Sequence, residues 1–359
     1  MKFKYIGFLI SVSALIIGDG AHAQSSLTLY GSIDEGVGYV TNMKGSRGTV
    51  MGPISVPDQF GFKGVEDLGG GTSAIFRLEN GYFSNTGNFA TPGVLFSRLA
   101  WVGLANKQYG TLTLGRQWDL TNEVLLPNAN GAVQYNYLTY HPGNIDNAAV
   151  TPINNSVKFA TPDWNGLSMR AMYGFADSSG AGRYFGADVL YTTGPFKLGA
   201  VYSDTRDKTY AFNTTLGYQT FLGQDLSTGT AFRASSTSVI GAGGTWTPNQ
   251  TWALHGLVSL VRLADTVRST HATTGELGVN WNTTPFNTVL FGGSNTWLNG
   301  DAYTTVALSD LYHLSVRTML YAEATYQHAS DKARAAMPSL SPASGHSQAS
   351  FRIGIQHFF

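Results

Sequence analysis

The sequence predicts an all-β fold, a 16-stranded antiparallel transmembrane β-barrel, on three observations. Period-2 segments recur along the chain, the connections between them alternate short and long, and no apolar run reaches the ~20 residues of a membrane-spanning helix. The alternation persists to the end. In Phe351-Arg352-Ile353-Gly354-Ile355-Gln356-His357-Phe358-Phe359, Phe351, Ile353, Ile355 and Phe359 share one face while Arg352, Gly354 and Gln356 share the other. That dyad suits a wall between an apolar phase and a wet lumen.

Composition agrees. The 359 residues include 43 Gly, 18 Tyr and 20 Phe, with only 12% charged, which favours strands, turns and interfacial aromatics over an ordinary globular enzyme. The mean hydropathy of −0.06 is too low for a helical membrane protein but fits a barrel, whose polar inner face offsets its apolar outer one. With no cysteine, the chain has no disulfide, zinc–thiolate site or cysteine nucleophile.

The first element in chain order is not a strand. Lys2 and Lys4 form a basic head, residues 6–17 an apolar run, and Ala21-His22-Ala23 a small-residue cleavage site, so residues 1–23 read as a secretory signal peptide and residues 24–359 as the barrel. Loss of Lys2, Lys4 and Asp19 from 22 basic and 22 acidic residues leaves a net charge near −1. This balance gives no reason to propose a nucleic-acid partner.

Strands are expected at 27–39, 58–66, 72–83, 95–104, 110–118, 155–161, 167–176, 184–193, 195–204, 236–247, 250–262, 273–283, 286–298, 302–312, 316–328 and 349–359. Leu27-Thr28-Leu29-Tyr30, Phe76-Arg77-Leu78-Glu79 and Thr111-Leu112-Thr113-Leu114 alternate cleanly. Turns such as Asn106-Lys107-Gln108-Tyr109 and Thr193-Gly194-Pro195 fall on one side. The long connections, near 40–57, 84–94, 119–154, 205–235, 263–272 and 329–348, fall on the other, the outer side if the N-terminus starts in the periplasm. Residues 333–348 read as a flexible outer loop. Tyr30, Trp101, Trp246, Trp252 and Trp281 lie near strand ends, where interfacial girdles need them. Glu35 does not fit: it takes the lipid parity of Leu29 and Ile33, a costly place for a carboxylate unless a bulge or a headgroup position relieves it. The final strand should pair with the first and remove both sheet edges.

At Ser26-Leu27-Thr28-Leu29-Tyr30-Gly31-Ser32-Ile33-Asp34 and Phe60-Gly61-Phe62-Lys63-Gly64-Val65-Glu66-Asp67-Leu68-Gly69, the chain resembles the trimeric general porins of Gram-negative outer membranes, most closely the betaproteobacterial type. Ser97-Arg98-Leu99-Ala100-Trp101-Val102-Gly103-Leu104 and Gly110-Thr111-Leu112-Thr113-Leu114-Gly115-Arg116-Gln117 extend the likeness, which is dense to about residue 175. The resemblance implies a homotrimer in outer-membrane lipid, passive diffusion of small hydrophilic solutes and ions, and no cofactor. It also implies that the third outer loop, about 119–153, folds into the lumen as an eyelet, and that terminal Phe359 is an assembly signal. A loop of that length exceeds the usual ~12–15 residues and points to function.

Parity turns Lys63, Arg77, Arg98, Lys158 and Arg170 into the lumen, with Asp34 and Glu79 as the inward acids. Arg98 matches the family's constriction arginine; Arg116 points outward with Leu112 and Leu114 unless its strand ends or bulges there. The loop carries Asp119, Glu123 and Asp146, so the expected constriction sets a basic wall against an anionic loop, and charge at a constriction governs ion choice. Tyr135, Tyr137, Tyr140 and His141 either stack on a planar solute or pack the loop to the wall. The chain departs from the family at Gln59 and at Pro152-Ile153-Asn154, where an arginine is common, so this eyelet should be less basic than usual. An alternative is a substrate-specific channel with a solute-binding eyelet for small carboxylates or sugars. The sequence has no Gly-x-Ser-x-Gly, His-Glu-x-x-His or Walker loop and no histidine pair at metal-ligand spacing, which argues against an enzyme.

Overall fold

The computed structural model describes residues 25–53, 57–178, 180, 182–330 and 332–359; the signal-peptide segment, residues 1–23, lies outside them. Sixteen strands close one antiparallel barrel. In chain order they are β1 (Ser26–Met43), β2 (Asp58–Gly69), β3 (Thr72–Tyr82), β4 (Leu99–Asn106), β5 (Gly110–Trp118), β6 (Pro152–Ala160), β7 (Leu167–Gly174) and β8 (Tyr184–Thr193). The second half contributes β9 (Phe196–Tyr210), β10 (Phe232–Trp246), β11 (Trp252–Ala264), β12 (Ser269–Thr284), β13 (Asn287–Leu298), β14 (Asp301–His313), β15 (Thr318–Ala329) and β16 (Ser347–Phe358). Each of the sixteen expected segments lies on one of these strands. A short rim strand, Ser46–Met51, folds back on the outer end of β1.

Closure runs along β1. Its first half pairs with β2 from Ser26↔Val65 to Ser32↔Gln59, and its second half pairs with β16 from Ser32↔Phe358 to Val40↔Ser350. The Gly31 amide donates to the Phe359 carbonyl at 3.0 Å and the Phe359 amide returns a bond to Gly31 at 3.1 Å. Gly31 is required there, because a Cβ would lie 2.4 Å from the Phe359 ring and 2.5 Å from the Gln59 carbonyl oxygen. Gly31→Val is therefore expected to overpack the seam by about 1–3 kcal/mol and to lower the fraction of refolded barrel on a heat-modifiability gel. Unchanged yield would show that Phe359 is not held by this contact.

No bulge relieves Glu35, which pairs in regular register with Ile355. The β1–β2 ladder ends at Ser32, the rim ladder begins at Val37, and in the gap the Ser84 hydroxyl donates to the Glu35 carboxylate at 2.6 Å. The next outer loop thus reaches across to one of its two oxygens.

Strand ends differ from the sequence expectation mostly on the outer side. The connection expected at 263–272 shrinks to 265–268, and that at 205–235 to 211–231, because β9 to β12 run on past the apolar band as ladders such as Arg206↔Ser236 and Ala264↔Ser269. There both faces meet water or other loops, so the apolar–polar alternation that marks a strand is lost. The loop 211–231 folds inward. Phe212, Leu216, Phe221 and Leu226 pack with Phe232, Val261 and Tyr303 into a buried cluster against the upper wall. Residues 333–348 do not form the flexible loop expected of their composition: Ala335, Ala336 and Met337 are buried, and the Ala336 and Met337 amides donate to the side chains of Gln327 and Gln348 at 2.5 and 3.1 Å.

Candidate functional site: the constriction

The loop between β5 and β6 enters the lumen and begins with a helix, α1 (Leu120–Leu125). Asp119 caps it, accepting from the Thr121 amide at 2.6 Å, from the Tyr184 hydroxyl at 2.9 Å and from the Asn147 amide group at 2.6 Å. Leu120, Val124 and Leu125 then bury against Met172, Val201 and Leu257 of the wall. Glu123, one turn in, receives Lys158 of β6 and Arg170 of β7, each at 2.6 Å, and Arg170 also pairs with Asp188 at 2.8 Å. Farther along, His141 bridges Asp146 at 2.6 Å and Glu276 of β12 at 2.7 Å, and the Ser259 hydroxyl of β11 donates to Asp146 at 2.6 Å.

The three loop acids therefore do not form an anionic face toward the pore. Asp119 and Asp146 are fully buried between loop and wall, and Glu123 is consumed by two wall cations. Burial pushes the Asp119 carboxyl above its ordinary value.

The basic wall forms a second cluster. The Tyr30 hydroxyl, the Arg77 guanidinium and the Arg98 guanidinium converge on the buried Glu79 carboxylate at 2.7, 2.7 and 2.6 Å. Arg77 also donates to the Tyr30 hydroxyl at 2.6 Å, and Lys63 lies 5.6 Å from the Tyr30 ring. Lys63 and Arg77 are register partners on β2 and β3, so they share the lumen face. Arg98 arrives by another route than alternation. Val102 and Leu104 of β4 share its parity and are exposed on the outer face; the ladder begins only at Leu99, and before it the Arg98 side chain turns in and lies over the Trp118 ring at 5.0 Å.

Arg116 sits at a bulge. The β5–β6 register shifts between Gly115 and Gln117, and Gly115 takes φ +133°, where an added Cβ would lie 2.2 Å from the Ala100 carbonyl oxygen. Arg116 then donates to the Ser97 carbonyl at 2.8 and 2.6 Å and to the side chain of Asn154, one of the departures from the family pattern. Arg98, Arg116 and Tyr137 line one cavity of about 330 Å³ between wall and loop.

Position near a strand end misplaced two of the aromatics. Tyr30 and Trp101 do not belong to an outer girdle: Tyr30 bonds Glu79 inside the lumen, and Trp101 is the register partner of inward Arg77. Trp246 and Trp252 stay outside, stacked on Phe196 and Trp281 at 6.1 and 5.6 Å. Of the loop aromatics, Tyr140 is buried against Gly131, Tyr135 packs beside Leu290, Leu311 and Met319, and Tyr137 reaches the cavity. Glu276 and Ser259 gave no signal beyond an inward parity.

The family profile for Gram-negative porins matches residues 11–332. The chain belongs to the Gram-negative porin family. This porin is 31% identical over 185 residues to an outer membrane porin protein of Bordetella pertussis, covering 46% of this chain and 47% of that one. It is also 31% identical over 200 residues to outer membrane porin protein 32 of Delftia acidovorans, covering 52% of this chain and 56% of the relative. The matched sequence thus spans about half the length of these relatives. In fold, the porin superimposes on the anion-selective porin from Comamonas acidovorans with a TM-score of 0.78 at 21% identity, over 94% of this chain and all of that one. The trimer form of OmpT from Vibrio cholerae gives 0.70 at 13% identity, over 93% and 99% of the two chains. The porin is an outer-membrane β-barrel that crosses with strands; no helix among the described residues is long and apolar enough to do so.

Proposed function

We propose that this porin is a passive, water-filled channel for small hydrophilic solutes and ions, without catalytic turnover, and that its constriction prefers anions. One observation carries the preference. Lys63, Arg77, Arg98 and Arg116 stand on the lumen side against the single carboxylate of Glu79, while the loop acids Asp119, Glu123 and Asp146 are buried or paired. Fixed charge of one sign at a narrow point favours the counterion. The solved Comamonas relative is described as anion-selective. Assembly is as a homotrimer in outer-membrane lipid: the exposed apolar outer face suits neighbouring subunits as well as lipid, and OmpT is described in a trimer form. Residues 1–23 are removed on export, with cleavage after Ala23.

The test is planar-bilayer conductance in a salt gradient. Large ohmic steps in groups of three with an anion-side reversal potential are expected, and Arg98→Ala should reduce the anion-to-cation permeability ratio by about half. Absence of steps would sink the channel, and solute flux that saturates would favour a substrate-specific one. A reversal potential indifferent to Arg98→Ala would remove that residue from the constriction.

A further inference from the structure

The bridge from Asp146 through His141 to Glu276 has no part in lining the pore, yet it joins the middle of the inserted loop to the barrel wall. All three side chains are buried, His141 and Asp146 at 1% exposure or less and Glu276 at 3%. Both imidazole nitrogens face a carboxylate oxygen, Nδ1 toward Asp146 at 2.6 Å and Nε2 toward Glu276 at 2.7 Å. A neutral imidazole carries one ring N–H and can donate to only one of them; the other contact would set a lone pair against a carboxylate in a dry site. With both carboxylates ionised, the geometry requires the imidazolium. The same two acids hold the loop elsewhere: Glu276 accepts from the Asn130 amide, and Asp146 from the Ser259 hydroxyl and, at 3.3 Å, the Ala148 amide.

We infer that His141 is the positioning residue that fixes the eyelet, a buried cation whose loss of a proton turns a double ion pair into repulsion and releases the loop from the wall, widening the pore at alkaline pH. This inference rests on the channel reading above. Burial alone would depress the imidazole, but Asp146 and Glu276 outweigh it and push His141 up to about 10. Burial likewise opposes the Asp146 charge, and His141 outweighs that and holds its carboxyl below the usual range. The linkage follows. A histidine raised on folding adds stability below its ordinary value near 6.5, and this is lost as pH rises through about 10. The depressed Asp146 sets the opposite limit, its contribution lost as pH falls through its folded value. The loop is thus held through neutral and mildly alkaline conditions and freed above them.

The charged and titratable neighbours come from every side of the bridge. Glu276 comes from β12, and Lys208 and Tyr210 from β9 bear electrostatically on Asp146; within the loop, Tyr140 neighbours Glu276. Lys208 also titrates in alkali, so the experiment must separate it from His141. Single-channel conductance of the full chain is measured from pH 7 to 11. Wild type should show a stepwise rise of about 1.5- to 2-fold as pH passes the His141 value, with weakened ion selectivity. His141→Gln should show the higher conductance already at pH 7 and no step, although Lys208 is intact. Where that variant fails to assemble, the double substitution Asp146→Asn with Glu276→Gln decides. It lets a neutral His141 donate at one nitrogen and accept at the other, so conductance should stay at the neutral-pH value with a flat profile. A step that persists in either variant, or a flat wild-type profile, overturns the role of His141. No conductance at any pH would instead refute the channel reading itself.

Discussion

Glu79→Gln is expected to raise the anion-to-cation permeability ratio about two- to threefold, the opposite direction to Arg98→Ala. Glu79 is the one acid in the basic cluster, and at 1% exposure it takes bonds from Tyr30, Arg77 and Arg98 at once. The isosteric amide keeps the shape and one acceptor but removes the charge that holds two guanidinium groups side by side. Two consequences act together. The wall then presents four cations with no acid among them, and Arg77 and Arg98 lose the anchor that draws them onto the barrel surface, so both extend farther into the lumen. Breaking a fully buried pair costs about 3–5 kcal/mol, but Arg77 is 37% exposed, so the stability loss here should be nearer ~2 kcal/mol. Reversal potentials of wild type, Glu79→Gln and Arg98→Ala in one KCl gradient check this. The ordering fails if the two variants move the potential the same way.

The barrel was legible in the sequence because a transmembrane strand separates two phases. Every second side chain of β1 reports lipid through Leu27, Leu29, Ile33 and Val37, while Ser32 and Asp34 between them are buried on the inner side. Where that separation ends, so did legibility. The outer parts of β9 to β12 read as loop although they are paired, and Arg98, one residue outside its ladder, obeys local backbone geometry and not parity.

The site was half legible for the same reason. Lys63, Arg77 and Glu79 sit inside regular strands, and parity placed them on the lumen face where the structure has them. Loop residues carry no such periodicity. Asp119, Glu123 and Asp146 looked like pore charges until their partners appeared, and most of those partners lie far away in sequence: Tyr184 for Asp119, and Lys158 and Arg170 for Glu123, while His141, close to Asp146, is tied to Glu276 135 positions beyond it. A carboxylate in an inserted loop has two fates, facing the water or anchoring the loop. Only the positions of its hydrogen-bond and ion-pair partners, on the wall and elsewhere in the loop, distinguish them.

Arg352→Met should cost about 3–5 kcal/mol of stability, because it strips the cation from a buried acid at the seam. Arg352 of β16 is 3% exposed. Its guanidinium donates to the Tyr321 hydroxyl at 3.0 Å and to the Gly52 carbonyl, and lies 3.6 Å from the Asp34 carboxylate of β1; Tyr321 in turn donates to Asp34 at 2.6 Å. The network therefore links β15, β16, β1 and the rim strand's end around the line where the first and last strands meet. Gly36 gives it room, since a Cβ there would come within 2.5 Å of the Tyr321 hydroxyl. A methionine fills most of the volume but leaves Asp34 charged in a dry site. Substituting both partners, Asp34→Asn with Arg352→Met, removes the stranded charge, and the barrel should recover most of the lost stability, since replacing a buried ion pair costs far less than breaking it. Thermal unfolding of the detergent-solubilised barrel measures each arm, and the double-mutant cycle isolates the coupling. A double variant as unstable as the single one would mean that Arg352 acts through its bonds to Tyr321 and Gly52, and that the charge of Asp34 contributes little to closing the barrel.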